Sequence, residues 1–122
     1  MNKKFYQLNI WQEGYDLLVI IYNIVKGFPS FEKYNLVSQI IRSANSVIAN
    51  IAEADGRYYY ADKIRVLYIS RAEIQETQSH LRVIFGQKYI DKEKFKEIDG
   101  RYEGLKIGIN KKIQSLYENK IN

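Results

Sequence analysis

The sequence predicts an all-α protein that folds as an up-down-up-down antiparallel four-helix bundle. Apolar residues recur three and four positions apart along almost the whole chain, which is the period of an amphipathic helix. No stretch of strict alternation is longer than a few residues, so no strand is indicated. One proline and seven glycines punctuate the chain sparsely and leave four helical segments joined by short turns, an arrangement typical of a simple bundle.

The length and composition predict one domain over residues 1–122. A chain of 122 residues falls within the commonest range of domain sizes. A content of 46% apolar and 27% charged residues is typical of a globular protein. The absence of cysteine excludes disulfides, thiol nucleophiles and cysteine-bound metals, and a single histidine excludes a multi-histidine metal site. The net charge of +5 is compatible with a polyanionic partner.

Neither an export signal nor a membrane span is expected. The basic start of the chain is not followed by an apolar signal core. The longest apolar run, residues 17–22, is far shorter than the roughly 20 residues that a membrane-spanning helix requires. We therefore expect a cytoplasmic protein that makes no use of a membrane.

The first helix is predicted over residues 9–26, with Asn9 as its cap, Gln12 as a capping-box partner and Pro29 beyond its end. Its inward stripe comprises Trp11, Tyr15, Leu18, Tyr22 and Val25. The helix is apolar on further faces as well, which favours a subunit interface over an unusually deep core within one chain. The residues predicted at this interface are Leu17, Val19, Ile20 and Ile24.

The second helix is predicted to begin after Pro29 or at Asn35 and to end at Asp55-Gly56. Its apolar stripe consists of Val37, Ile40, Ile41, Ala44, Val47, Ile48 and Ile51. A polar stripe flanks it at helical spacing, formed by Arg42, Ser46, Asn50, Glu53 and Arg57. Because buried charges persist only when they are paired, we interpret this stripe as a buried or half-buried network in which Glu53 pairs with Arg57 or Arg42. A ligand site is the functional alternative.

The third helix is predicted from about Tyr60 to Phe85, ended by Gly86, with Ile64, Leu67, Ile74, Leu81 and Ile84 facing inward. Three consecutive tyrosines surrounded by basic residues mark its start. Such a pattern suits single-stranded nucleic acid, because bases stack on aromatic rings and phosphates bind cations. The candidate nucleic-acid-binding residues are Arg57, Tyr58, Tyr59, Lys63 and Arg65. The structural alternative is that the tyrosines pack the mouth of the bundle or a subunit contact.

The fourth helix is predicted to start at Asp91, a good N-cap, with heptad spacing through Phe95, Ile98, Tyr102, Leu105 and Ile109. It contains three glycines four positions apart, each of which costs about 1 kcal/mol of helix propensity relative to alanine. These are Gly100, Gly104 and Gly108. Two explanations remain open: close approach of another helix, or glycines tolerated on an exposed face.

No pattern in the sequence indicates an enzyme. There is no glycine-rich phosphate loop, no pair of carboxylates at a cleft spacing and no nucleophile–base signature. The lone His80 has no partner at ligand spacing, and we expect it at the surface or an interface. The prediction is therefore a non-enzymatic protein without a cofactor or a metal.

The segment from Gln39 to Arg57, QIIRSANSVIANIAEADGR, resembles the signature of the 23S rRNA-intervening-sequence protein family, also called four-helix bundle proteins. Trp11, the Phe28-Pro29 turn and the segment 86–90, GQKYI, match further positions of the family. The chain departs from the family at Ala54, where glycine is usual, and at residues 72–73, where Ala-Glu replaces a Gly-Ser pair. The second departure leaves Glu73 to find solvent or a cation.

The resemblance implies a bundle that commonly assembles as a ring-shaped homopentamer and has no established enzymatic activity. Members are encoded in intervening sequences of bacterial large-subunit rRNA genes or elsewhere in bacterial genomes. A related bundle, the accessory protein of diversity-generating retroelements, is a basic pentamer that binds a reverse transcriptase and nucleic acid. We therefore expect a homo-oligomer that binds RNA or a nucleic-acid-handling protein. The alternative is a protein-interaction or structural oligomer with no nucleic-acid role.

Overall fold

Four helices account for most of the computed structural model, which describes residues 3–121 and the side chains of residues 3–119. They are α1 (Asn9–Val25), α2 (Ser38–Gly56), α3 (Tyr60–Gly86) and α4 (Lys92–Ile121). Each helix packs against the next, and α4 packs against α1, so the four close into a bundle. No strand occurs in the described range, and the predicted all-α four-helix bundle is confirmed. None of the helices in residues 3–121 has the length and apolar character to cross a membrane.

Contacts between side chains on neighbouring helices show that the helices run antiparallel. As residue numbers rise along α3, the numbers of its partners on α4 fall. The pairs are Arg71 with Asn110, Gln78 with Glu103 and Arg82 with Asp99. The α1 and α4 helices are joined by a bidentate ion pair between Glu13 and Arg101, with distances of 2.7 and 3.1 Å.

The core follows the predicted stripes on α2, α3 and α4. The residues predicted to face inward on these helices are buried or partly buried. On α1 the prediction is wrong in part, because Tyr15 and Tyr22 are each 47% exposed. The buried residues of α1 are Gly14, Leu17, Leu18, Ile21 and Val25.

The rotation of α1 is explained by its closest approach to α2. A Cβ atom on Gly14 would collide with the side chain of Ile48, so the two backbones come together where α1 has no side chain. This orientation also buries Leu17 completely. The prediction of Leu17 at a subunit interface is therefore wrong, since Leu17 belongs to the core of one chain.

The start of α1 differs from the predicted cap. Asn9 is the first helical residue, Leu8 is the cap, and Leu8 makes no side-chain capping bond. The Gln12 amide donates instead to the carbonyl of Tyr6, in the short 3-10 turn that precedes the helix. The predicted capping box is thus wrong. At α4, by contrast, the predicted cap is confirmed, because the Asp91 carboxylate accepts a 2.7 Å hydrogen bond from the Lys94 amide.

The α3–α4 turn ends α3 at Gly86 and places Lys88, not a glycine, in the left-handed conformation, with φ of 65°. The Lys88 amide donates to the Phe85 carbonyl at 2.9 Å, and the Tyr89 amide donates to the Ile84 carbonyl at 3.2 Å. These two bonds form a Schellman motif, which satisfies carbonyls left open at the helix end.

The same turn is tied to the α1–α2 connection by a buried carboxylate. Glu32 accepts hydrogen bonds from the Tyr89 hydroxyl at 2.9 Å and from the Asn35 amide at 3.2 Å. The backbone kinks at Asn35, where φ is −127° and ψ is −105°. The kink delays the start of α2 to Ser38, three residues beyond the later of the two predicted positions.

The three α4 glycines divide between the two explanations. A Cβ on Gly100 or Gly104 would meet open space within the chain, whereas one on Gly108 would lie 3.1 Å from a methyl group of Ile10. Within one chain, the close approach of another helix therefore explains Gly108 but neither Gly100 nor Gly104.

Gly14→Ala should lower the free energy of unfolding by about 1–3 kcal/mol, because the added methyl group overpacks the α1–α2 contact. Gly104→Ala is the matched control, and it should raise the free energy of unfolding by about 1 kcal/mol through helix propensity. Urea unfolding of both variants measures the difference. If Gly14→Ala is neutral or stabilising, α1 does not approach α2 at this glycine.

Lys88→Gly should raise the free energy of unfolding by up to about 1 kcal/mol. A non-glycine residue in the left-handed region costs about 1–2 kcal/mol, and the greater entropy that glycine loses on folding offsets part of the gain. Gln87→Gly, one residue earlier at an ordinary φ, should be destabilising. Equal effects of the two substitutions in urea unfolding would contradict the left-handed assignment.

Candidate nucleic-acid interface and subunit surface

Net positive charge lies at both ends of the bundle, and it is one unit larger at the end that carries the α2–α3 turn. We call this the α2–α3 end and define it as residues 3–8, 53–65 and 111–119. It holds seven Lys and Arg residues against four Asp and Glu, while the opposite end, residues 23–38 and 84–97, holds six against four. Both ends are basic, and the larger excess accompanies the tyrosine triplet.

Tyr58 and Tyr59 lie on the α2–α3 turn and project from the bundle. Their side chains are 86% and 67% exposed, and the rings meet edge to face with centroids 5.0 Å apart. The alternative that these tyrosines pack the mouth of the bundle is therefore wrong for Tyr58 and Tyr59 within one chain. Two exposed rings beside cations can stack on unpaired bases.

The three candidate cations have different surroundings. Arg57 forms an ion pair with Glu53 at 3.1 Å. The Lys63 ammonium donates to the carbonyls of Asp55 at 2.8 Å and Ala54 at 3.4 Å, and so caps the C-terminus of α2. Arg65 is exposed and forms no ion pair within the part of the chain that the structure describes. Arg65 is thus the most available of the three for a phosphate.

A cavity of about 470 Å³ opens at the α2–α3 end, between the N-terminal segment and the ends of α2, α3 and α4. Its apolar surface is aliphatic. This floor is formed by Leu8 and Ile10, which are partly buried, together with the buried core residues Ile51, Ala54, Leu67 and Leu116. The volume is in the range of small-ligand sites, which is about 300–1,000 Å³.

Polar groups surround the aliphatic floor. Three of the lining residues are cationic: Lys3, Lys63 and Lys112. The other polar lining residues are Asp55, Tyr60 and Asn119. We call these six residues the rim. The sequence singled out only Lys63 among them as a candidate site residue. Lys3, Lys112 and Asn119 lie about half the chain away from Lys63 and come close to it only in the folded bundle.

The polar stripe of α2 forms separate local contacts and no continuous network. Arg42 reaches across to α3, where it pairs with Glu76 and lies 3.5 Å from Glu73. Of the two alternatives predicted for Glu73, solvent or a cation, the structure shows a cation, Arg42. The sequence offered Arg42 as one of two possible partners of Glu53. In the structure Arg42 and Glu53 belong to different ion pairs.

Asn50 and Ser46 form a second contact within the stripe, since the Asn50 amide donates to the carbonyl and hydroxyl of Ser46 at 2.9 and 3.1 Å. The pairing of Glu53 with Arg57 is as predicted, but these side chains are 52% and 41% exposed. Within one chain, the Glu53–Arg57 pair is therefore shielded from water less than we expected. Exposed pairs of this kind typically contribute about 0–1 kcal/mol, far less than a buried pair.

His80 belongs to the α2–α3 face and contacts Glu76 at 3.1 Å. Burial, with a smaller contribution from the Arg42 charge, lowers the pKa of His80. His80 is therefore neutral at pH 7, and its contact with Glu76 is a hydrogen bond.

An apolar surface runs along the outer side of α1, in which Tyr15, Val19 and Tyr22 are exposed and Trp11 is partly buried against the core. We call it the α1 ridge and define it as Trp11, Tyr15, Val19 and Tyr22, at helical spacing. The Trp11 and Tyr15 rings stack with centroids 5.4 Å apart and an angle of 5° between their planes. Phe5, from the preceding turn, meets the Trp11 ring edge to face. Val19 was predicted at a subunit surface and is 40% exposed, while Ile20 and Ile24 are partly buried.

The described residues contain no recognisable catalytic arrangement. No group of three His, Asp or Glu residues in this range could hold a metal ion. The Tyr102 hydroxyl is buried without a hydrogen-bond partner in residues 3–119, and burial raises its pKa. This hydroxyl therefore stays protonated and inaccessible. What the surface offers is binding chemistry: exposed aromatic rings, unpaired cations and a partly apolar cavity.

Comparison with known proteins agrees with this architecture. The family described as 23S rRNA-intervening sequence protein matches residues 6–111. The chain is also similar to a protein of unknown function from the S23 ribosomal protein family of Bacteroides thetaiotaomicron VPI-5482. That likeness has a TM-score of 0.79 and 27% sequence identity, and it covers 86% of this chain and 95% of that chain. No curated protein matches the sequence. Because the family match spans most of the four-helix bundle, the chain belongs to the 23S rRNA-intervening sequence protein family.

Proposed function

We propose that this protein is a non-enzymatic, self-associating four-helix bundle that binds RNA at its α2–α3 end. The observation that carries the RNA proposal is the pair of exposed rings, Tyr58 and Tyr59, within the more basic end of the bundle. Rings held away from the core have no packing role in one chain, and aromatic rings beside cations are the usual platform for unpaired bases.

Self-association is supported by the α1 ridge. Its aromatic rings are partly exposed and ordered against one another, and exposed apolar patches of this kind commonly mark contacts with another protein. A second copy of the chain is the partner we propose, and the resemblance to the family suggests five copies. Several copies would present several α2–α3 ends to one RNA, so weak single contacts would add through multivalency.

A second candidate function is a protein-interaction or structural oligomer with no nucleic-acid role. The same α1 ridge favours it, because aromatic rings and an aliphatic side chain at helical spacing suit contact with another helix. The two functions differ in salt dependence, since phosphate contacts release counterions and weaken steeply as salt rises.

Self-association predicts an assembly larger than 14.4 kDa in light scattering at micromolar concentration. Val19→Glu should split the assembly into folded monomers, because it places a charge on the α1 ridge. Ile107→Glu changes an aliphatic side chain on α4 that is more exposed than Val19, at 54% against 40%, and it should leave the assembly intact. A monomeric wild-type protein would contradict self-association, and dissociation by Ile107→Glu alone would move the interface to α4.

RNA binding predicts retention of single-stranded RNA at roughly 50 mM salt, a concentration at which phosphate contacts are strong. Tyr58→Ala and Tyr59→Ala should each weaken binding by about 1–3 kcal/mol per stacked base, with little change in salt dependence. Arg65→Ala should reduce the slope of log affinity against log salt by roughly 0.7, the value for one phosphate of a single strand.

Controls for this experiment lie at the opposite end of the bundle. Tyr34 is 85% exposed, and its ring lies beneath the Lys33 ammonium, so the pair resembles the candidate site in chemistry but not in position. Tyr34→Ala and Lys33→Ala should leave RNA binding unchanged. If they weaken it as much as the Tyr58 and Arg65 variants, binding is not specific to the α2–α3 end, and if wild-type protein retains no RNA, the RNA proposal fails.

A further inference from the structure

We infer that the cavity at the α2–α3 end holds one unstacked nucleotide of the bound RNA. Its base would lie against the aliphatic floor, and its phosphates would bind the lysines of the rim. This inference rests on the proposed function and deepens it, because it names the part of the RNA that the chain encloses.

The position of the cavity connects it to the exposed tyrosines. Tyr60 lines the cavity and directly follows Tyr58 and Tyr59 in the chain. Lys63, one helical turn further along α3, lines it as well. A strand that stacks on the exposed rings therefore runs beside the mouth of the cavity, and its next nucleotide can turn inward without leaving the protein surface.

The composition of the cavity suits a nucleotide better than a simple aliphatic anion. Apolar side chains can cover both faces of a base, while its polar edge needs hydrogen-bond partners. Three rim residues, Asp55, Tyr60 and Asn119, carry polar groups of the kind that could serve as such partners. A fatty carboxylate would use the floor and the lysines but would leave Asn119 and Tyr60 without a role.

The cations of the rim are available to a phosphate. Lys3 and Lys112 form no ion pair with any carboxylate among residues 3–119. The Lys63 ammonium has three donors, of which two are used by the carbonyls of Ala54 and Asp55, so one remains.

The first test uses adenosine 5′-monophosphate as the probe and the methyl signals of Leu67 and Leu116 as the readout, by NMR of the full chain at low salt. The nucleotide should shift these signals and bind more tightly than adenosine or inorganic phosphate alone. Lys112→Ala should weaken the binding about tenfold, because a charge-assisted hydrogen bond to phosphate is lost. Lys111→Ala is the matched control, since Lys111 is exposed but does not line the cavity, and it should have little effect.

The second test uses single-stranded RNA, so that the inference and the proposed function can fail separately. If RNA binding depends on Tyr58 and Arg65 while Lys112→Ala and Lys111→Ala behave alike, the RNA surface stands and the enclosed nucleotide is wrong. If adenosine monophosphate shifts the floor signals but no RNA is retained, both the proposed function and the enclosure of an RNA nucleotide fail. If decanoate shifts the floor signals and the nucleotide does not, the cavity takes an aliphatic anion, and the inference is overturned.

Discussion

Three hydroxyl side chains, Ser43, Ser70 and Thr77, are completely buried between α2 and α3, and each has a hydrogen-bond partner. The Ser70 hydroxyl donates to the Val47 carbonyl at 2.7 Å, and the Thr77 hydroxyl lies 2.8 Å from that of Ser43. An unsatisfied buried hydroxyl costs about 1–3 kcal/mol, so sliding one helix along the other would strand the Ser70 hydroxyl. Ser43 and Thr77 would lose their contact with each other and keep only the carbonyls of Ile40 and Glu73 in their own helices. The register that they hold also brings Lys63 to the end of α2, and it thereby fixes the turn that presents the tyrosines.

How much of this fold the sequence could predict depended on how sharply each helix separates polar from apolar faces. On α2 and α4 the separation is clear, and the predicted inward residues are buried or partly buried. On α1 the apolar side is wide enough to include Trp11, Tyr15 and Tyr22 beside the buried residues, so helical spacing shows which side turns inward but not which edge of that side is buried. The deciding feature is Gly14, which allows the closest approach to Ile48. A contact that depends on a missing side chain leaves no apolar signal in the sequence, which is why Tyr15 and Tyr22 were assigned to the buried edge.

The candidate site also has a part that the sequence could predict and a part that it could not. The exposed tyrosines and their flanking cations are consecutive or nearly so, and their pattern was sufficient to single them out. The cavity beside them is built from Lys3, Lys63 and Lys112, which meet only because the start of α1 and the end of α4 lie at the same end of the bundle. The partner of Arg42 was missed for a related reason. Helical spacing offers partners on the same helix, whereas Glu73 and Glu76 lie on the neighbouring one.

The two proposed surfaces meet in the short segment before α1. Lys3 belongs to the rim of the cavity, while Phe5 packs edge to face on Trp11 of the α1 ridge. This segment is held by the backbone hydrogen bonds of its 3-10 turn, by bonds from the Lys4 amide to the Gln7 side chain and from Gln12 to the Tyr6 carbonyl, and by packing against α1 and α2. A second copy docked on the α1 ridge would cover Trp11 and restrain Phe5, and with it the backbone that carries Lys3. A second copy on the ridge and a nucleotide in the cavity would therefore act on the same short stretch of backbone, and residues 3–5 connect the two proposed surfaces.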